Sequence, residues 1–146
     1  MAHTARILAC DVVSVPPTDS VLAACRLMRD KRVGCVLVTE GDRIVGVFTE
    51  RDLLTRVVPS RRPPGETPVS AVMTKDVQAV GADEPVERVF ELLSARRFRH
   101  VPIVEGGCPV GMVSLSDFAG ILREVFAEEA YLRYFVDYCE ARPQSR

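Results

Sequence analysis

Two stretches decide the fold of this chain: Gly46-Val47-Phe48-Thr49-Glu50-Arg51-Asp52-Leu53 and, 65 residues later, Gly111-Met112-Val113-Ser114-Leu115-Ser116-Asp117-Phe118. The similarity runs without a gap over residues 7–57 of the first copy, so that residues 33–41 align with residues 98–106. Identical pairs include Asp11 and Asp76, Leu27 and Leu92, Gly41 and Gly106, and Val45 and Val110. An ungapped repeat indicates two copies of one small fold. A site at equivalent positions in both copies then belongs to the fold itself, and two copies suggest a cleft between them.

Size and composition restrict the class of protein. One copy of about 60 residues is marginal for burying a stable core, which favours two copies packed on each other. The apolar fraction of 47% is ordinary for a globular protein. The net charge of -1 creates no field that attracts nucleic acid or acidic lipid, so neither is expected as a partner. No apolar run approaches the roughly 18 residues of a membrane span, and the N-terminus lacks the apolar core of a signal peptide. We therefore expect a soluble, cytoplasmic protein.

The cysteines and histidines give no sign of a metal site. There are five cysteines and no Cys-x-x-Cys pair, and Cys25 and Cys35 fall at core-facing positions of the repeat. We interpret them as reduced, small hydrophobic residues. Because His3 and His100 are the only histidines, no plausible zinc ligand set exists, and no metal is expected.

Each copy reads as β-α-β-β-α. The first strands are predicted at residues 12–15 and 77–80, and the first helices follow, with Thr18 and Asp83 as N-cap candidates and Pro85 in the first turn. Helical spacing predicts a buried face made of Val21, Ala24, Cys25 and Met28, and of Val86, Val89, Phe90 and Leu93. Hairpins are predicted from strands 35–39 and 44–48, and from strands 100–104 and 110–113. Second helices are predicted from residue 50 to about 57 and from 115 to about 126.

The predicted organisation is a first unit at 1–58, a linker at 59–68, a second unit at 69–125, and a C-terminal amphipathic helix and tail at 126–146. Four prolines and a glycine predict that the linker is extended. The C-terminal helix, read from about residue 124 to 139, has no counterpart in the first copy and carries an aromatic stripe of Tyr131, Tyr134, Phe135 and Tyr138. The stripe suits packing on the protein's own core and a subunit contact equally well.

The motif that could carry chemistry is Gly-x-x-Thr/Ser-x-x-Asp, at Gly46, Thr49 and Asp52 and again at Gly111, Ser114 and Asp117. A hydroxyl three residues before a carboxylate at a helix start is a capping box, and such boxes are common. However, the glycine also repeats, and glycine in a strand often marks the close approach of another group. Free N–H groups beside a hydroxyl suit a phosphate, and a carboxylate can accept both hydroxyls of a ribose. The set therefore suits a nucleotide.

The paired units resemble a tandem pair of CBS domains, the regulatory modules named after cystathionine β-synthase. Residues 34–54 look like the family signature, and residues 97–104 look like its counterpart in a second copy. The resemblance covers about residues 7–125. It implies an α+β fold in which two β-α-β-β-α CBS units pack pseudo-twofold as one CBS-pair module with two clefts, and here an extra C-terminal helix follows.

The resemblance implies a stand-alone regulatory module that binds an adenosyl ligand (AMP, ADP, ATP, NAD(H) or S-adenosylmethionine) and signals by conformational change. It implies a homodimer with an unidentified regulated partner, and no required cofactor beyond the regulatory nucleotide. Asp52 and Asp117 would hold ribose, with Thr49 and Ser114 beside the phosphate. The base would contact Val12 and Val13 with Val36, and Val77 with Val101 and Pro102. Arg99 and His100, and more weakly Arg96 and Arg97, could meet a phosphate from the other unit, although all four also suit a solvated basic patch.

The sequence leaves alternatives open for the two sites and for the function. Apolar strand residues are core by default, and the copies differ, because Gly34-Cys35 aligns with Arg99-His100. The two sites therefore need not be equal, and a structural or protein-interaction module with empty clefts is the alternative function. An enzyme is not expected, since nothing places Ser114 beside a base and no Gly-x-Ser-x-Gly elbow occurs.

Overall fold

The computed structural model describes residues 3–95, 98–117, 119 and 129–141. The chain divides into two compact units, Met1–Val113 and Ser114–Arg146. The first unit contains two three-stranded sheets, one from each copy of the repeat. The mixed α+β fold predicted from the sequence is therefore confirmed.

The first sheet has the order β1-β2-β3, from Ser14–Val15, Cys35–Glu40 and Arg43–Thr49. Strand β1 runs parallel to β2, and β2 runs antiparallel to β3 with an irregularity between Val38 and Thr39. Helix α1, Val21–Lys31, connects β1 to β2. Helix α2, Glu50–Asp52, follows β3 and continues as a π-helical turn, Leu53–Val57, so the predicted helical range is confirmed.

The second sheet has the order β4-β5-β6, from Val80–Gly81, His100–Glu105 and Cys108–Ser114. Helix α3, Glu87–Ser94, connects β4 to β5, which pair in parallel with Val80 opposite Ile103. Glycines with positive φ turn both hairpins, Gly41 at 58° and Gly106 at 57°, as the sequence predicts. The predicted helix at 115–126 is described only at residues 115–117 and 119, which are helical.

The second unit contains helix α4, Glu129–Ala141. This range overlaps the predicted C-terminal helix, whose first residues, 124–128, lie outside the described part of the chain. The side chains of the aromatic stripe also lie outside it. Leu132 and Val136 on α4 are exposed.

Each sheet packs on its own core, and a third cluster joins the copies. The face predicted for α1 is confirmed, since Val21 and Ala24 are fully buried. The second core contains Ala5, Val80, Ala82, Val89, Leu93, Val101, Ile103 and Val113. The cluster between the copies contains Cys35, Leu37 and Val47 of the first sheet, with Val12, Ile44, Val77 and Met112 packed against them. Burial of apolar surface at this cluster holds the two copies together.

The segments that precede the two copies are exchanged. The segment before the second copy packs on the first, where the Val21 N–H donates to the Thr67 carbonyl over 2.9 Å. Reciprocally, the segment before the first copy packs on the second, where the Val86 N–H donates to the His3 carbonyl over 3.0 Å. His3 and Thr67 are 64 residues apart, so these segments are offset by one residue from the 65-residue repeat. Each copy is therefore packed against the segment that precedes the other copy in the sequence.

Arg6 anchors the first leading segment to the second copy. Its guanidinium lies 2.8 Å from an Asp83 carboxylate oxygen and 2.7 Å from a Glu105 carboxylate oxygen. Hydrogen bonds to Glu105 and then to Asp83 raise the pKa of Arg6. Because these side chains are about half exposed or more, the ion pairs orient the segment more than they stabilise it.

Both first strands are shorter than predicted. Val12 and Val13 precede β1, and Val77 precedes β4 by three residues. Pro16 follows β1 directly and cannot donate to the ladder, which ends this strand. Residues 77–79 have no ladder partner, and Val77 instead packs in the cluster between the copies.

Both predicted N-caps are wrong. Asp19 N–H donates to the Pro16 carbonyl in a turn, which delays α1, so its N-cap is Ser20, whose hydroxyl accepts from Ala23 N–H over 3.1 Å. Asp83 pairs with Arg6 instead of capping α3, which begins at Glu87 without a side-chain cap. Pro85 precedes this helix and forms a bridge with Thr4.

The predicted linker is not extended. Two turns fold it, closed by Arg61 N–H to the Val58 carbonyl at 3.1 Å and by Thr67 N–H to the Pro63 carbonyl at 3.1 Å. The Pro64 carbonyl accepts from Leu22 N–H over 3.0 Å, which satisfies a free donor at the start of α1. Because its carbonyls accept hydrogen bonds from the first turn of α1, the segment is held against the first copy.

Candidate functional site

The first predicted site contains a complete capping box where β3 passes into α2. Asp52 Oδ2 accepts from the Thr49 backbone N–H at 2.9 Å and from the Thr49 hydroxyl at 3.1 Å. The same hydroxyl accepts from the Asp52 N–H at 3.2 Å. Glu50 N–H donates to the Gly34 carbonyl at 3.0 Å and fixes the helix start beside β2. The Thr49 hydroxyl is therefore occupied as both donor and acceptor.

The second oxygen of Asp52 is also occupied. Asp52 Oδ1 accepts from the Thr74 hydroxyl at 3.1 Å and lies 3.5 Å from Arg56 Nε. Arg56 also donates to the backbone carbonyls of Met73 at 2.8 Å and Val72 at 3.3 Å. Asp52 is only 4% exposed. The sequence analysis did not predict Arg56 or Thr74 as site residues. The i,i+4 spacing of Arg56 from Asp52 was an available signal. Thr74 gave none, because it reaches Asp52 only where the segment before the second copy packs on the first copy.

The repeated glycines mark close approach, as predicted, but the approaching group is the chain itself. A Cβ on Gly46 would overlap the Met73 sulfur and would lie 3.1 Å from the Thr74 carbonyl oxygen. A Cβ on Gly111 would lie 2.7 Å from the Leu8 carbonyl oxygen. Each glycine therefore makes room for an exchanged leading segment.

The second predicted box has the same geometry. Asp117 Oδ2 accepts from Ser114 N–H at 2.8 Å and from the Ser114 hydroxyl at 2.9 Å, and this hydroxyl accepts from Asp117 N–H at 3.2 Å. Unlike Asp52, Asp117 is exposed. No hydrogen bond to Asp117 Oδ1 forms from the residues that the structure describes.

The residues predicted to line the base differ in burial. Val12, Val13 and Val77 are half-buried, whereas Val36, Val101 and Pro102 are fully enclosed. Val36 and Val101 lie inside the two sheet cores. Strand alternation gives the reason, because Leu37, beside Val36, occupies the opposite face and packs between the copies. Val12 and Val77 are thus the predicted lining residues that reach the cluster between the copies.

Arg99 is exposed and His100, the first residue of β5, is half-buried. Arg96 and Arg97 lie outside the described residues. An open hollow of about 240 Å³ lies within the first unit and includes one predicted residue, Val77; its lining is Arg43, Ile44, Lys75, Val77, Ala79, Val104 and Gly107. Thr49 and Arg43 stand at opposite ends of β3, so this hollow is separate from the Asp52 box.

No disulfide joins any of the five cysteines, all of which lie among the described residues, and Cys35 is buried. Burial raises the pKa of the Cys25 thiol. Across residues 3–95, 98–117, 119 and 129–141, no three His, Cys, Asp or Glu side chains cluster closely enough to hold a metal ion. In the same ranges, no helix combines the length and hydrophobicity needed to cross a bilayer.

Comparison with known proteins agrees with this architecture. The family model of the CBS domain matches the chain twice, at residues 5–59 and 69–124. The chain is 33% identical over 123 residues to the CBS domain-containing protein CBSCBSPB5 of Arabidopsis thaliana, covering 84% of this chain and 22% of that protein. The chain thus spans about a fifth of the length of this relative.

Solved structures show the same fold. The crystal structure of the CBS domain NE2398 superposes with a TM-score of 0.75 at 28% identity, covering 84% of this chain and 98% of that chain. The hexameric CBS-CP12 protein from bloom-forming cyanobacteria gives a TM-score of 0.71 at 27% identity, covering 82% of this chain and 67% of that chain. The chain belongs to the CBS domain family and carries two CBS domains in tandem, a module of the regulatory type.

Proposed function

We propose that this protein is a regulatory module that binds an adenosyl ligand and changes conformation on binding. The observation that carries the proposal is the Thr/Ser-x-x-Asp box, which forms in both CBS domains with a carboxylate at the start of a helix. A carboxylate there is suited to accept both hydroxyls of a ribose. AMP, ADP, ATP, NADH and S-adenosylmethionine all present that diol.

The exchanged segments supply a route from binding to conformational change. The Thr74 hydroxyl bonds to Asp52 from the segment that leads into the second domain, and the segment before the first domain packs on the second, so a displacement within one domain reaches the other through these segments. A ligand shifts a conformational equilibrium only through its differential affinity for the two states. Binding without turnover, and transmission to a regulated protein partner, follow from this function.

A thermal-shift and calorimetric panel of the five ligands tests the proposal. A ligand at about 100 times its Kd adds about 2.7 kcal/mol to the free energy of unfolding and raises the melting temperature. The double variant Asp52→Asn/Asp117→Asn should lose this shift, whereas Asp137→Ala, an exposed aspartate on α4, should keep it. Absence of binding by every ligand in the panel would refute the proposal.

We also propose that the module forms a homodimer, which light scattering after gel filtration tests directly. The CBS-CP12 neighbour is described as hexameric, and Leu132 and Val136 present exposed apolar groups on α4. Exposed apolar surface favours association. Replacing both with Glu should lower the mass from that of a dimer to that of a monomer; a wild-type monomer would contradict the proposal.

The second candidate is a structural or protein-interaction module with no small ligand. It is favoured by one observation, that both carboxylate oxygens of Asp52 are already bonded to groups of the protein. Protein purified without added nucleotide and then heated distinguishes the two functions. Nucleotide released into the supernatant, seen at 260 nm, supports ligand binding.

A further inference from the structure

The two equivalent aspartates stand in unequal surroundings. An ionised carboxylate offers about four acceptor positions, two on each oxygen. In Asp52, Oδ2 faces the N–H and hydroxyl of Thr49, and Oδ1 faces the Thr74 hydroxyl and Arg56 Nε. All four positions are taken by the protein, so a ribose diol reaches this carboxylate only if Thr74 and Arg56 leave.

Arg56 and Thr74 do more than bind the Asp52 carboxylate. Arg56 extends from the helical turn after α2 and also holds the carbonyls of Val72 and Met73. Thr74 exchanges two backbone hydrogen bonds with Val47 on β3. The Asp52 carboxylate is thus the centre of a clasp that fastens the segment leading into the second domain onto the first domain. Because it is buried, an unpartnered charge there would be costly.

The second domain does not carry the same donor residues at the equivalent positions of its sequence. The residue 65 positions after Arg56 is Ile121, which has no donor. In the exchanged segment the counterpart of Thr74 is Ala9 at a 65-residue spacing or Cys10 at a 64-residue spacing. The Cys10 thiol donates to the Met112 carbonyl at 3.8 Å. Asp117 is exposed, and its Oδ1 accepts no bond from any described residue.

We propose that the two sites have divided roles: Asp52 is a closed structural clasp, and Asp117 is the carboxylate that holds the ribose diol, with one nucleotide bound per chain. The second half of this inference rests on the proposed function. The first half rests only on the bonds around Asp52. The two halves therefore predict different responses to substitution.

Calorimetry with AMP and with ATP on nucleotide-free full-length protein, together with thermal unfolding, tests the division. Wild type should bind one nucleotide per chain. Asp117→Asn should lower affinity about tenfold or more, because a hydrogen-bonded charge is lost, and should leave the melting temperature nearly unchanged. Thr74→Val should lower the melting temperature by about 3–8 °C and keep affinity within about threefold. The matched control is Thr55→Val, since the exposed Thr55 hydroxyl donates only to the Arg51 carbonyl; its melting temperature should match wild type.

The outcomes distinguish failure of the division of roles from failure of the proposed function. Two nucleotides per chain, or wild-type affinity in Asp117→Asn, would overturn the assignment of roles. An equal melting temperature in Thr74→Val and Thr55→Val would overturn the clasp. Absence of binding by AMP and ATP would overturn the Asp117 assignment, and failure of the whole adenosyl panel would overturn the proposed function. The comparison of the melting temperatures of Thr74→Val and Thr55→Val tests the clasp whether or not a nucleotide binds.

Discussion

Val47 and Thr74 exchange both of their backbone hydrogen bonds, Val47 N–H to the Thr74 carbonyl at 2.9 Å and Thr74 N–H to the Val47 carbonyl at 2.8 Å. Val47 lies on β3, the edge strand of the first sheet, and Thr74 lies in the segment that leads into the second domain. The bridge therefore covers part of an edge that would otherwise be open to pairing with another chain. On β6 the segment before the first domain bonds at a different position, from Cys10 N–H to the carbonyl of Val110, the counterpart of Val45, at 3.0 Å.

The exchanged segments make Gly111 intolerant of a side chain. We expect Gly111→Ala to lower the free energy of unfolding by about 1–3 kcal/mol, because its Cβ meets a backbone carbonyl that cannot rotate away. Gly34→Ala is the matched control, since its Cβ first meets the flexible Glu50 side chain at 3.4 Å. Both substitutions restrict the unfolded chain equally, so the difference between their melting temperatures isolates the collision. Equal temperatures would contradict the described approach of Leu8.

The start of α1 can be located by a pair of capping substitutions. Ser20→Ala should destabilise the protein by about 0.5–2 kcal/mol, because the Ala23 N–H loses its acceptor. Thr18→Ala should change stability by less than about 0.5 kcal/mol, because Thr18 is exposed and lies outside the helix. Denaturant unfolding followed by circular dichroism measures both. The reverse order would restore the N-cap predicted from the sequence.

Phe48 is the largest fully buried side chain of the first core. Phe48→Ala should lower the free energy of unfolding by about 3–5 kcal/mol through the lost transfer energy and the cavity. Leu54→Ala removes a side chain that is 67% exposed and should cost less than about 0.5 kcal/mol. Thermal melts of the two variants are directly comparable, and similar losses would contradict the burial described for Phe48.

The cysteines should react at different rates with a thiol reagent. Cys10 and Cys139 are exposed and should be modified first, whereas Cys25 should react slowly because burial raises the pKa of its thiol. The rate at Cys25 should keep rising at pH values above the ordinary pKa of a cysteine thiol, because its own pKa is raised. Peptide mapping by mass spectrometry resolves the sites, and unfolded protein is the control in which the differences should vanish. Equal native rates would contradict the burial of Cys25.

The sequence alone determined the number of domains, the order of their strands and helices, and the two boxes. Turn glycines and helical periodicity depend on residues that are close together in the chain, and the repeat is visible when the sequence is aligned with itself. The same locality explains the errors at Thr18 and Asp83, where a turn and an ion pair with Arg6 replaced the expected caps. Val36 was predicted to line the base, yet it lies in the first core while Leu37 packs between the copies; both are apolar, and only the packing of two sheets distinguishes one strand face from the other.

Tertiary structure decided which parts of the two copies meet. Thr74 follows Asp52 by 22 residues and Arg6 precedes Asp83 by 77, and no local rule connects such positions. The exchange of leading segments brings them together, because each copy alone leaves a core and a sheet edge open that the other copy's segment covers. Equivalent aspartates in an ungapped repeat thereby acquire different neighbours, since the segments that surround them differ in sequence.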